Sequence, residues 1–160
     1  FGTFWIPETV GKSPVATASW LLSQTKDLNI ATGIMNIYHA LADDQGIQAT
    51  LSSPAQVTEQ ALAQSSDICE ATLTQFCRIM GSFAGNLALN LATTGGIFIG
   101  GGIANRFADF IQRSDFRARF EAKGRMKHYV KDIPTYLIAE PDHGLLGAAA
   151  YLNQHITSEL

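Results

Sequence analysis

Thr94-Gly95-Gly96-Ile97-Phe98-Ile99-Gly100-Gly101-Gly102-Ile103 decides how this chain is read. A short apolar run ends in three consecutive glycines, and a helix-like segment follows. Ile97-Phe98-Ile99 therefore reads as a buried strand. Its end carries no side chains, so a ligand can lie flat against the backbone. In open α/β sheets, ligands sit beyond the carboxyl ends of strands. The stretch points to a nucleotide-binding domain without identifying the chemistry.

Working outward, Asn105 to Gln112 reads as a helix with Phe107, Phe110 and Ile111 facing inward. Thr135-Tyr136-Leu137-Ile138-Ala139 reads as a last strand, and Gly144-Leu145-Leu146-Gly147 opens a closing helix. Two strands joined through helix suit a parallel crossover. Upstream, Ile34, Ile37, Tyr38 and Leu41 form a helical face that ends at Asp43-Asp44-Gln45-Gly46. Ser53 caps a helix that begins at Pro54, with Val57, Ala61 and Leu62 inward. Ser65-Ser66-Asp67 starts the longest helix, which runs to about Leu91 with Leu73, Phe76, Ile79, Met80, Phe83 and Leu87 on one broad face. Gly81, Ser82, Ala84, Gly85 and Ala88 make its second half unusually small. Glycine inside a helix costs about 1 kcal/mol relative to alanine, and is tolerated best where another backbone comes close. Residues 1–12 read as a short strand and turn, and Pro14 to Ser23 as a short amphipathic helix.

The 160 residues make one domain with 46% hydrophobic and 16% charged residues, which are globular values. A net charge of -3 gives no electrostatic reason to expect nucleic acid or an anionic membrane as partner. No apolar run reaches the length of a membrane span. The start, Phe1-Gly2-Thr3-Phe4-Trp5-Ile6-Pro7, is not a signal peptide and looks cut from something longer. Cys69 and Cys77 lie eight apart in a helical pattern, roughly 12 Å along the axis, too far for a disulfide. Reduced thiols suit a cytoplasmic protein.

Other constellations are weak. Gly100-Gly101-Gly102 supplies two glycines of a dinucleotide fingerprint and lacks the third, and no acidic residue follows at the ribose position. There is no Walker-type loop. His39, His128, His143 and His155 are scattered, without metal-ligand spacing. Asp142-His143 and Asp43-Asp44 read as turn chemistry. The basic stretch at 113–131 is balanced by Asp115, Glu121 and Asp132 and reads as a solvated helical face.

The segment from about 55 to 152 resembles the bacterial ATP-dependent glucokinases of the actin-like/hexokinase superfamily. Gln75-Phe76-Cys77-Arg78-Ile79-Met80-Gly81 and Gly85-Asn86-Leu87-Ala88-Leu89-Asn90-Leu91 carry the resemblance. So do Gly95 to Ile103, Ser114-Asp115-Phe116-Arg117-Ala118, Asp132-Ile133-Pro134-Thr135-Tyr136 and Gly144-Leu145-Leu146-Gly147-Ala148. Thr32-Gly33-Ile34-Met35-Asn36-Ile37-Tyr38 matches more weakly, as the family's helix beside the ATP site.

The resemblance implies an α/β fold: a ribonuclease-H-like (actin-like ATPase) large domain, here incomplete and helix-rich, with a few strands ending at a Gly-rich nucleotide turn. It implies a divergent or truncated segment over 1–30 and the glucokinase C-terminal domain over 31–160. Gly100, Gly101, Gly102 and Ile103 would line the adenosine site, with Gly33 and Ile34 approaching from the facing helix. The reaction would be glucose plus ATP to glucose 6-phosphate and ADP, with Mg²⁺ carried by the nucleotide.

Several family parts have no counterpart in the sequence. These are the Asp-x-Gly-Gly-Thr phosphate loop, the Asn-Asp pair that holds the general base, and the Glu-Gly-Gly-His sugar clamp. Gly2-Thr3 matches the start of the second phosphate loop, but Phe4 replaces its next glycine. Ile30-Ala31 replaces the family's Ser-Gly. No catalytic residue is assigned, and the chain alone is expected to be inactive. One rival reading is a non-catalytic sugar-kinase-like binding module. Another is an oligomerising module, a homodimer joined through the small-residue face of the long helix.

Overall fold

The computed structural model describes residues 5–7, 30–139 and 143–156. Three strands form one sheet in the order β1-β2-β3: β1 is Trp5–Pro7, β2 is Ile97–Ile99 and β3 is Thr135–Leu137. β1 runs antiparallel to β2, with Trp5 opposite Ile99 and Pro7 opposite Ile97. β3 runs parallel to β2, with Ile97 opposite Thr135 and Ile99 opposite Leu137. The parallel pair is the one expected from the crossover. β3 stops two residues short of the expected end, although the Ile138 amide still donates to the Ile99 carbonyl at 2.7 Å.

Helix α1 (Ile30–Gln45) ends at Gly46, whose φ of +65° suits a residue without Cβ. Helix α2 (Pro54–Leu62) begins with a reciprocal cap. Ser53 Oγ accepts from the Gln56 amide at 3.4 Å, and Gln56 Oε1 accepts from the Ser52 amide at 3.1 Å. Helix α3 (Asp67–Asn90) is the spine of the fold and packs against α1, α2 and, most extensively, α6 (Phe116–Glu121). The core gathers Ile34, Tyr38, Val57, Leu73, Phe76, Met80, Ile97, Phe107 and Phe120 around it. Each such side chain, fully buried, contributes about 1.5–3 kcal/mol.

The inner face of α3 departs from the expected stripe. Leu73, Phe76 and Met80 are buried, but Ile79 and Phe83 are 49% and 46% exposed. Leu62 on α2 likewise reaches solvent. In the C-terminal half, the small residues face inward instead. A Cβ on Gly81 would run into the Phe116 carbonyl oxygen, and one on Gly85 into the Phe120 carbonyl oxygen and Lys123 Cε. The backbone of α6 fills the space that side chains would take. The small-residue face is thus occupied within one chain, not held free for a second copy.

After β2 come α4 (Gly102–Arg106) and α5 (Ala108–Arg113). The single helix expected across Asn105–Gln112 is broken at Phe107, whose φ and ψ are -130° and 38°. Its ring is nonetheless buried, as expected, together with the side chains of Phe110 and Ile111. The charged stretch divides into α6, a 3₁₀ turn (Gly124–Met126) and α7 (Lys127–Val130). It is less solvated than its composition suggests. Arg117 donates to Glu121 at 2.7 Å and to the Ile133 and Lys131 carbonyls at 2.8 and 2.6 Å. Lys123 donates to the Ser82 carbonyl at 2.7 Å, tying α3 to the end of α6. Partial burial lowers its pKa. Helix α8 (His143–Ile156) closes the described chain. The helix expected over Pro14–Ser23, Gly2-Thr3 and Asp142 lie outside the described residues.

Candidate functional site

β2 is the middle strand, so its backbone is held from both sides and its carboxyl end is fixed in position. Gly100 there is buried and Gly101 half-buried. Gly101 has φ +120° and ψ 152°, a region that L side chains rarely adopt. That torsion turns the chain from the strand into α4. The Asn105 amide donates to the Gly101 carbonyl at 3.3 Å. Gly102 and Ile103 are the first two residues of α4. With five residues, α4 is too short to supply much of the dipole expected at a helix N-terminus.

Gly33 and Ile34 lie in the first turns of α1. A Cβ on Gly33 would sit 4.0 Å from Phe76 Cε2 of α3. Ile34 is wholly buried, so its side chain belongs to the core and not to a surface that a nucleotide touches. Gly33 lies in α1 beside Phe76, and Ile34 packs into the core beneath α1.

A cavity of about 400 Å³ opens between the sheet and α5–α6. Its wall begins at Ile99, the residue before the glycines, and continues through Leu137, Thr135, Ala108, Ile111, Phe116, Asp109, Gln112 and Arg117. This volume falls in the range of small-molecule sites. No local pattern in the sequence announces it, because its residues come from four separate elements. Arg117 is the basic group in that wall, but its guanidinium is already committed to Glu121 and two carbonyls and lies 4.8 Å from the Phe120 ring centre.

The remaining titratable groups singled out in the sequence are spread along the chain. Cys69 and Cys77 are free and buried. Burial pushes the Cys77 thiol up to about 11, opposed in part by a hydrogen bond with Ser114. His128 Nδ1 lies 2.7 Å from the Arg125 carbonyl, and His39 is exposed. Asp43 and Asp44 are exposed at the end of α1. Among the described residues, no three His, Cys, Asp or Glu gather to hold a metal, and no helix is long and apolar enough to cross a membrane. What the arrangement offers is a run of three residues without side chains at the end of a buried strand, a shape that a flat group can lie against.

The glucokinase family profile matches residues 27–155. A glucokinase of Colwellia psychrerythraea is 50% identical over 127 residues, which is 76% of this chain and 38% of that protein. A glucokinase of Yersinia pestis is 48% identical over 128 residues, covering 80% of this chain and 40% of its own length. The chain thus spans about two fifths of the curated relatives it matches. The crystal structure of a glucokinase from an Antarctic psychrotroph superposes with a TM-score of 0.72 at 34% identity, over 93% of this chain and 48% of that one. On the profile, the relatives and the shared fold together, this chain belongs to the glucokinase family.

Proposed function

We propose that this chain is the nucleotide side of an ATP-dependent glucokinase, which transfers the γ-phosphoryl group of ATP to glucose to give glucose 6-phosphate. The observation that carries the reading is Gly101. A family member holds a glycine-specific torsion at the carboxyl end of the central strand, where its sequence also places Gly100 and Gly102. In this reading, residues 31–160 are the C-terminal domain of a ribonuclease-H-like, actin-like fold, and 1–30 are a divergent segment. Gly100, Gly101, Gly102 and Ile103 bear on the adenosine, Gly33 faces them from α1, and Ile34 holds that turn of α1 in place.

The chemistry divides accordingly. Phosphoryl transfer requires positioning and neutralisation of charge on the transferring group. ATP supplies the phosphoryl group, and Mg²⁺ enters on its phosphates and water. This chain's residues bind and orient the nucleoside, and domain closure excludes water from the sugar. The sugar clamp and the general base belong to sequence motifs that the chain does not contain, so the 160 residues alone do not turn over glucose at a useful rate. The setting is the cytoplasm, and a homodimer is the assembly to test for.

ATP turnover coupled to a reporter, with and without glucose, tests the reading. A natural gene product containing this sequence is expected to consume ATP in a glucose-dependent way, and the 160-residue chain is expected to bind ATP without turning it over. Turnover by the 160-residue chain would refute the division of labour. A natural product that binds ATP and never phosphorylates a sugar would favour the binding-module reading.

A further inference from the structure

The two parts of the proposed nucleotide surface come from distant segments, Gly33 on α1 and the Gly100–Ile103 turn leading into α4. α4 is short; Ala104 within it and Phe107 just after it are each 1% exposed. Phe107 is also where the chain breaks between α4 and α5. Its amide donates to the Ala104 carbonyl at 3.4 Å, and its carbonyl accepts from Ile111 at 3.0 Å. The Phe107 ring meets Phe76 of α3 edge-on, with centroids 6.1 Å apart and planes at 78°. On the α1 side, that same Phe76 ring reaches the place where a Gly33 side chain would begin, at 4.0 Å. One aromatic pair therefore stands between both walls.

We propose that Phe76 and Phe107 are positioning residues for the nucleotide: their edge-to-face contact sets the distance between α1 at Gly33 and the Gly100–Ile103 turn. The proposal rests on the reading of that turn as the adenosine side. The physical reason is that packed interiors transmit a change of shape, whereas a flexible loop would absorb it. A smaller or more pliant side chain at either position lets α4 settle towards α3 and shifts the glycine backbone against which the base lies. Neither ring touches the ligand.

The test is calorimetric binding of adenosine, and separately of ATP, to the 160-residue chain and four variants. Phe107→Leu, Phe107→Met and Phe76→Leu alter the pair. Phe120→Leu removes a ring that is equally buried but lies on α6, and so controls for loss of core volume. Circular dichroism sets the folded fraction of each. Phe107→Leu and Phe76→Leu are expected to weaken both ligands about tenfold, as a small displacement of a binding wall does. Phe120→Leu should bind within about twofold of the parent once its folded fraction is matched. Phe107→Met keeps most of the volume and serves as the readout if Phe107→Leu does not fold. Equal affinity in all variants, or equal weakening by Phe120→Leu, would overturn the positioning role and leave the turn as the nucleotide site. If the parent chain binds neither adenosine nor ATP, the reading of the turn falls and the positioning role falls with it.

Discussion

Gly81 and Gly85 on α3 have a different task from Gly101 after β2. At the α3–α6 crossing, the torsions are ordinary helix and the space is what matters, because two carbonyl oxygens of α6 stand where side chains would be. At the end of β2 the torsion is what matters, with φ at +120°. The crossing uses glycine to bring the protein's own backbone close. The turn uses it to redirect the chain and keep the strand end bare. Two glycine-rich patches in one sequence can therefore look alike and serve packing in one place and, in the function proposed above, recognition in the other.

Substitutions separate the two uses. Gly85→Ala and Gly81→Ala should have the largest effect, because rigid backbone must move. Each is expected to lose about 3 kcal/mol in urea unfolding, beyond the small gain in helix propensity. A loss below 1 kcal/mol would show that α6 shifts freely and that the crossing is not tight. Gly101→Ala should cost about 2 kcal/mol, the strain of a side chain in that torsion. Its sharper effect is on ligand binding: ATP affinity should fall, whereas folded Gly81→Ala should keep it.

Cys77, buried beside the crossing, gives a pH test. Its folded pKa of about 11 lies above the ordinary 9.0, so folding favours the neutral thiol. That contribution is complete below pH 9 and is lost as pH rises towards 11. At pH 10 the loss is about 1 kcal/mol, and Cys77→Ser should flatten that part of the pH profile. Gly33→Ala should have the smallest effect and the opposite sign. Its methyl would meet Phe76 at an ordinary 4.0 Å, so helix propensity should raise stability by up to about 1 kcal/mol.

The sequence already showed much of this. Ser53-Pro54 marked the start of α2, Gly46 the end of α1, and Ile97-Phe98-Ile99 the central strand, because caps and buried strands are written in local residue types. The small residues of α3 announced a close neighbour without naming it. Ile79 and Phe83 misled because a helical period identifies an apolar stripe but not its limits, and the true inner face is rotated towards Gly81 and Gly85. The break at Phe107 was hidden, since an aromatic residue inside an apolar period looks like core whether or not the helix is continuous. Within the candidate site, the glycines were legible from the strand before them. Ile34 lies on the expected helix, but its burial could not be read from the helical period alone. The cavity beside α5 was not readable, because its wall is assembled by tertiary packing.

The sheet also constrains the order of events while the chain is being made. β1 is near the beginning of the sequence, yet its partner β2 is synthesised only after α1, α2 and α3. Trp5-Ile6-Pro7 therefore keeps its hydrogen-bonding edge open until β2 has been made. Closing so long a loop is also slower than pairing β2 with β3. Of the three described strands, the one earliest in the sequence is thus left with an open edge, free to pair with another chain, until β2 has been made.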